Sequence, residues 1–232
     1  MNPLPLVLLP GLLCDAELWR HQIDHLRALA DPIVADLTKD SSIEGMAASV
    51  LAAAPEKFAL AGLSMGGYVA QAILRAAPKR VERLALLDTS YHPDTDAQRT
   101  RRKDMMAMAE KGDFKGVTPR LLPYLIHEGR LEDEALVNAV MGMAERVGKE
   151  VFLRQERAIL DRRYGEDVLR QVRCPALVLC GAEDALTPPK LHEEMAAMIP
   201  HARLVVVANC GHLSTMERPE TVTTAMAAWL AS

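Results

Sequence analysis

Between Phe58 and Gln71 an apolar run of strand length, Phe58-Ala59-Leu60-Ala61, ends in Gly62-Leu63-Ser64-Met65-Gly66 and gives way at once to helix-compatible sequence. No other stretch constrains the chain so tightly. A serine between two glycines, with a strand before it and a helix after it, predicts a sharp strand–turn–helix reversal. Such a turn holds the serine in a strained backbone conformation, and a side chain at Gly62 or Gly66 would collide with the neighbouring strand and helix. Ser64 then stands at the positive end of a helix opening near Met65, where negative charge is favoured. We read Ser64 as a nucleophile rather than an ordinary turn serine.

The remainder alternates in a way that builds a sheet around that turn. Leu6-Val7-Leu8-Leu9 is a continuous apolar run, typical of a strand covered on both faces, and Pro10-Gly11 ends it. A helix follows over Ala16–Leu29, with Asp15 as its N-cap, then a brief strand over Pro32–Ala35. Ser41-Ser42-Ile43-Glu44 has the spacing of a capping box and opens a helix through Met46, Val50 and Leu51. After the serine turn a helix runs to Pro78, and Leu84-Ala85-Leu86-Leu87 is another buried strand ending at Asp88. Strands alternating with helices predict an α/β fold, a mostly parallel sheet flanked by helices.

From about residue 92 to 170 the alternation stops. Helices are expected over Gln98–Glu110, Lys115–Tyr124, Leu131–Arg146 and Lys149–Leu160, punctuated by Gly112, Gly129 and Gly148. The division is therefore a core of residues 1–91 and 171–232 with a helical cap inserted over 92–170. Met105, Met106, Met108, Met141 and Met143 lie in that insertion, where soft side chains suit either an adaptable acyl pocket or plain helix packing. Arg99, Arg101, Arg102, Arg162 and Arg163 are most simply a solvated face. The sheet resumes at Pro175–Cys180, Thr187-Pro188 starts a helix, Leu204–Val207 is the last strand, and a closing helix spans about Pro219–Leu230.

Of the 232 residues, 50% are hydrophobic and 25% charged, enough for one large buried core. A formal net charge of -4 offers no basic field for a phosphate backbone, so nucleic acid is not an expected partner. No run approaches the ~20 apolar residues of a membrane helix, and the N-terminal stretch lacks the basic lead of a signal peptide. Cys14, Cys174, Cys180 and Cys210 show no metal-ligand spacing and fit buried free thiols in a reducing cytoplasm. The expected protein is cytoplasmic, a monomer or homodimer, with no metal.

A serine hydroxyl needs a positioned base, and the base needs a third group to fix its tautomer and stabilise its charged form. In a parallel sheet the reacting groups belong just beyond the carboxyl ends of the strands. Ser64, Asp184 and His212 occupy such places on three strands. Glu183 and Asp88 are the rival acids, while His21, His25, His92, His127, His192 and His201 fall away from strand ends and read as structural. The oxyanion of a tetrahedral intermediate calls for the N–H of Met65 and one from the loop after the first strand, Leu12 or alternatively Leu13. Leu13, Met106 and Met141 are the candidate substrate contacts.

Four motifs in order, Leu8-Leu9-Pro10-Gly11-Leu12-Leu13 with Trp19, Gly62-Leu63-Ser64-Met65-Gly66-Gly67, Gly181-Ala182-Glu183-Asp184 and Cys210-Gly211-His212, together resemble the α/β-hydrolase superfamily. The resemblance is to its small esterase, enol-lactonase and pimeloyl-ester carboxylesterase branch, and it covers nearly the whole chain outside the insertion. It implies a cofactor-free serine hydrolase with the triad Ser64, Asp184 and His212, acting on a small ester, lactone or thioester. Pro10-Gly11 stands where the family usually carries His-Gly, and the early antiparallel strands of the larger fold are expected to be missing. Two other readings stand beside it. One keeps the triad but cleaves or eliminates at a C–C bond; the other binds a ligand without turnover.

Overall fold

The apolar runs assemble, in a computed structural model that describes residues 3–232, into a six-stranded sheet. Its strands are β1 (Leu4–Leu9), β2 (Ala30–Val34), β3 (Phe58–Leu63), β4 (Val81–Leu87), β5 (Ala176–Gly181) and β6 (Arg203–Val207). Their order is β2-β1-β3-β4-β5-β6, and every neighbouring pair is parallel. The continuous apolar runs make sense in this sheet because both faces are covered. Leu6, Leu8, Ala61, Leu87 and Leu179 enter the cluster on one face; Val7, Leu9, Leu60, Leu86 and Val178 enter the cluster on the other.

Helices α1 (Arg20–Leu26) and α10 (Pro219–Leu230) pack on the first face through Leu26, Val222, Met226 and Trp229. On the second face lie α2 (Ile43–Ala53), α3 (Met65–Ala76) and α8 (Pro189–Met198), contributing Met46, Val50, Val69, Ile73 and Met195. Side chains as fully buried as Leu8, Leu60 and Trp19 each stabilise the fold by about 1.5–3 kcal/mol. Between β4 and β5 stand α4 (Asp96–Met108), α5 (Leu122–Leu125), α6 (Glu134–Leu160) and α7 (Glu166–Leu169), with no strand among them. The last short helix, α9 (Ser214–Glu217), precedes α10. Among the described residues no helix is long and apolar enough to cross a membrane.

Several boundaries differ from those expected, each for a local reason. Residues 16–19 form a 3-10 turn before α1, capped by Asp15, which accepts from Glu17 N at 3.0 Å. Helix α2 is capped by Ser42, whose hydroxyl accepts from Gly45 N at 3.1 Å, so the box from Ser41 to Glu44 does not form. The helix expected over Lys115–Tyr124 shrinks to α5, because Gly116 sits at φ 62 and Pro119 cannot donate to a helical ladder. Helix α6 is broken at Gly148 (φ 79, ψ 174), as the glycine implies, and Asp133 caps its start by accepting from Leu136 N at 3.1 Å. Helix α8 begins one residue later than expected, with Pro189 at its first position.

Arg102 and Arg162 are not a solvated face. Arg102 pairs with Asp94 at 2.7 Å and Glu156 at 2.8 Å, Arg162 pairs with Asp94 at 2.8 Å, and its guanidinium lies 4.4 Å from the ring centre of Tyr68 on α3. Burial of Asp94 and Glu156 demands these partners.

Candidate active site

Ser64 links β3 to α3 at φ 54, ψ −116, a conformation that ordinary residues avoid. The flanking glycines permit it. A Cβ on Gly62 would lie 2.4 Å from Gly66 O, and one on Gly66 would lie 2.1 Å from Leu9 O on β1. The turn is braced from β4: Ser64 N donates to Leu87 O at 3.0 Å, and the Thr89 hydroxyl donates to Ser64 O at 2.7 Å.

The structure brings Ser64, Asp184 and His212 together. Ser64 Oγ lies 2.9 Å from His212 Nε2, and His212 Nδ1 lies 2.9 Å and 3.0 Å from the two oxygens of Asp184. An ionised carboxylate only accepts, so Nδ1 carries the proton and Nε2 is left to receive the serine hydrogen. Asp184 is fixed in turn by the N–H groups of Leu186 (2.8 Å) and Thr187 (2.9 Å) and by the Thr187 hydroxyl (2.6 Å). Burial pulls His212 down, but the charge of Asp184 and the hydrogen bond to it prevail and hold the imidazole above its ordinary 6.5. Burial pushes Asp184 up, but the His212 charge and these hydrogen bonds prevail and hold it below the usual carboxylate range.

The rival acids are engaged elsewhere. Asp88, fully buried at φ 43, accepts from Gly181 N at 3.0 Å and from the Ser214 hydroxyl, and burial raises it well above the carboxylate range. Glu183 accepts from Cys210 N at 2.9 Å.

The loop carrying His212 is fastened from both sides. His212 N and Leu213 N donate to Leu125 O of the insertion at 3.1 Å and 3.0 Å. Glu217, fully buried on α9, accepts from Gly211 N at 2.9 Å and from His127 N at 2.7 Å. A Cβ on Gly211 would lie 2.7 Å from His127 N, so insertion and loop are in direct backbone contact.

In the loop after β1, a Cβ on Gly11 would stand 3.5 Å from Ser64 Cβ. Leu13 N donates to Gln155 Oε1 at 3.0 Å, whereas Leu12 N has no acceptor among the described residues. Met65 N, at the first position of α3, has no intrahelical acceptor either. Residues 6–225 match the sequence pattern of the alpha/beta hydrolase family. The chain belongs to that family.

This hydrolase is similar in structure to a thermophilic esterase from Thermogutta terrifontis, with a TM-score of 0.92 and 30% identity, over 99% of this chain and 90% of that one. The enol-lactonase from Burkholderia xenovorans LB400 shares the fold, with a TM-score of 0.88 at 23% identity over 100% of this chain and 93% of that one. In sequence the hydrolase is 27% identical to the (E)-2-((N-methylformamido)methylene)succinate hydrolase of Acinetobacter baylyi, over 97% of this chain and 90% of the relative.

The candidate substrate contacts fare differently. Leu13 is buried in the first-face cluster, and Met106 and Met141 pack half-buried against that cluster, while Met108 is exposed. The histidine set aside at 192 does reach a strand end: Thr89 N donates to its Nε2 at 3.0 Å, and burial lowers the imidazole to about 4, so it serves the hydrolase as a neutral acceptor. All four cysteines are free, and burial pushes Cys14 up to about 12, which leaves that thiol protonated beside the loop. Sequence reasoning missed Thr187, Glu217 and Gln155. An Asp-x-x-Thr turn signal was available for Thr187; Gln155 acts across 142 positions, and Glu217 joins Gly211, six residues before it, to His127, 90 positions away.

Proposed function

We propose that this hydrolase cleaves the acyl bond of a small carboxylic ester, lactone or thioester through an acyl-enzyme on Ser64. The observation that carries the reading is the hydrogen-bonded chain Ser64–His212–Asp184 on a strained turn. His212 takes the Ser64 proton as Oγ attacks the carbonyl carbon, and Asp184 stabilises the imidazolium that forms. The N–H groups of Leu12 and Met65, without an acceptor among the described residues, hold the carbonyl oxygen as it gains charge, each worth about 2.7–4 kcal/mol of barrier. His212 then protonates the leaving alcohol or thiol, and a water activated by the same imidazole releases the acid. The insertion over residues 92–170 acts as a cap over this site, supported by its backbone contacts to the His212 loop. Four free thiols support a reducing compartment such as the cytoplasm.

Ser64→Ala is expected to abolish turnover of short p-nitrophenyl esters and labelling by a fluorophosphonate probe, with an unchanged circular dichroism spectrum. Turnover retained in that variant would remove Ser64 from the mechanism.

A further inference from the structure

Gln155 lies on the second half of α6, in the insertion, yet its side chain is fully buried between the insertion and two loops of the core. Its Oε1 accepts from Leu13 N at 3.0 Å, and its Nε2 donates to Leu37 O at 3.2 Å. The amide can stand only one way round, because Leu13 N–H can only donate and Leu37 C=O can only accept. Arg154 reinforces the second contact, with Nε donating to Thr38 O at 2.9 Å.

The bond from Leu13 has a consequence for the neighbouring amide. Leu13 sits at φ 59, in the left-handed region that a branched side chain avoids, so something must hold it there. Gln155 does so by capturing the Leu13 N–H, which fixes the plane of the Leu12–Leu13 peptide. Leu12 O then accepts from the Cys14 thiol at 3.4 Å, and Cys14 N closes the turn on Gly11 O at 3.2 Å. Of the two loop amides that follow Gly11, one is consumed and the other, Leu12 N–H, remains without an acceptor among the described residues.

We propose that Gln155 is a positioning residue for catalysis: by occupying the Leu13 N–H it holds the β1 loop so that Leu12 N–H serves as the oxyanion donor. This rests on the serine-hydrolase reading above. The insertion then does more than cover the site, since one of its side chains sets the geometry in which negative charge is stabilised. Losing one oxyanion donor costs about 10²–10³ in kcat, and a misdirected donor costs part of that.

The test compares wild type and Gln155→Met, which keeps the volume and removes both hydrogen bonds, on a p-nitrophenyl ester and on its thiono analogue. The C=S group of the analogue is a weak acceptor and gains little from an oxyanion donor. The variant is expected to lose at least about 10-fold in kcat on the oxo ester with KM changed less than about 3-fold, and to lose much less on the thiono ester. Equal losses on both esters, or no loss, would overturn the inference while leaving the serine hydrolase intact; a wild type without Ser64-dependent turnover would overturn both. Should the variant not fold, amide exchange in the wild type decides. Protection at Leu13 N–H with fast exchange at Leu12 N–H is expected, and the reverse pattern would overturn the proposal.

Discussion

Three buried carboxylates, Asp184, Asp88 and Glu217, act on one imidazole, and of these only Asp184 is bonded to it. In the proposed mechanism His212 must be neutral to accept the serine proton, and it is held above 6.5, so kcat/KM is expected to rise with pH through a limb lying above 6.5. Asp184→Asn removes the charge that raises His212, so the limb moves to lower pH while the plateau falls by about 10⁴. Asp88→Asn removes a smaller influence and shifts the limb less; a pH–rate profile of the three proteins checks the order. At this scale chain order and strand ends singled out Ser64, Asp184 and His212, and the structure places them within hydrogen-bond reach. It also shows why Asp88 is set apart: Gly181 N and the Ser214 hydroxyl hold its carboxylate. The sequence singles out Asp184 from three acids at strand ends, while the hydrogen bonds that occupy Asp88 and Glu183 are visible only in the fold.

Among the elements, the serine turn is the most locally specified. Gly66→Ala would place a methyl group 2.1 Å from Leu9 O, a backbone atom with nowhere to go. Overpacking of this kind costs about 1–3 kcal/mol or more, which for a chain of this size lowers Tm by about 2–12 °C; calorimetry is the check. The α9 clamp is the opposite case. Glu217→Ala leaves the buried N–H of Gly211 without an acceptor, at about 1–3 kcal/mol, and the half-buried N–H of His127 as well, at a smaller cost. Urea unfolding should show that loss, and kcat should fall with it as the His212 loop loosens. The glycines were legible because a strand, a turn and a helix follow one another within a dozen residues. The clamp was not, because Glu217 meets His127 across 90 positions. Short-range signals also misled in places: of two adjacent serines the spacing to Glu44 favoured Ser41, whereas Ser42 caps the helix.

For the molecule as a whole, the insertion carries a buried charge network of its own, and that network touches the core where Arg162 lies over Tyr68. Asp94, Arg102, Glu156 and Arg162 form one network that ends on the ring of Tyr68, one turn into the helix behind Ser64. Arg102→Met strips partners from two buried carboxylates and is expected to cost about 3–5 kcal/mol in thermal or denaturant unfolding. The sequence by itself determined the parallel α/β sheet and the serine turn, because both are written in neighbouring residues: apolar runs of strand length, helical spacing between them, and glycine where a Cβ cannot fit. Only the tertiary structure decided which loop amide is left free, what clamps the His212 loop, and how the insertion grips the core. Those choices rest on Leu13 with Gln155, Glu217 with His127 and Arg162 with Tyr68, pairs 142, 90 and 94 positions apart. Contacts that distant arise from packing of the whole chain, and no local periodicity encodes them.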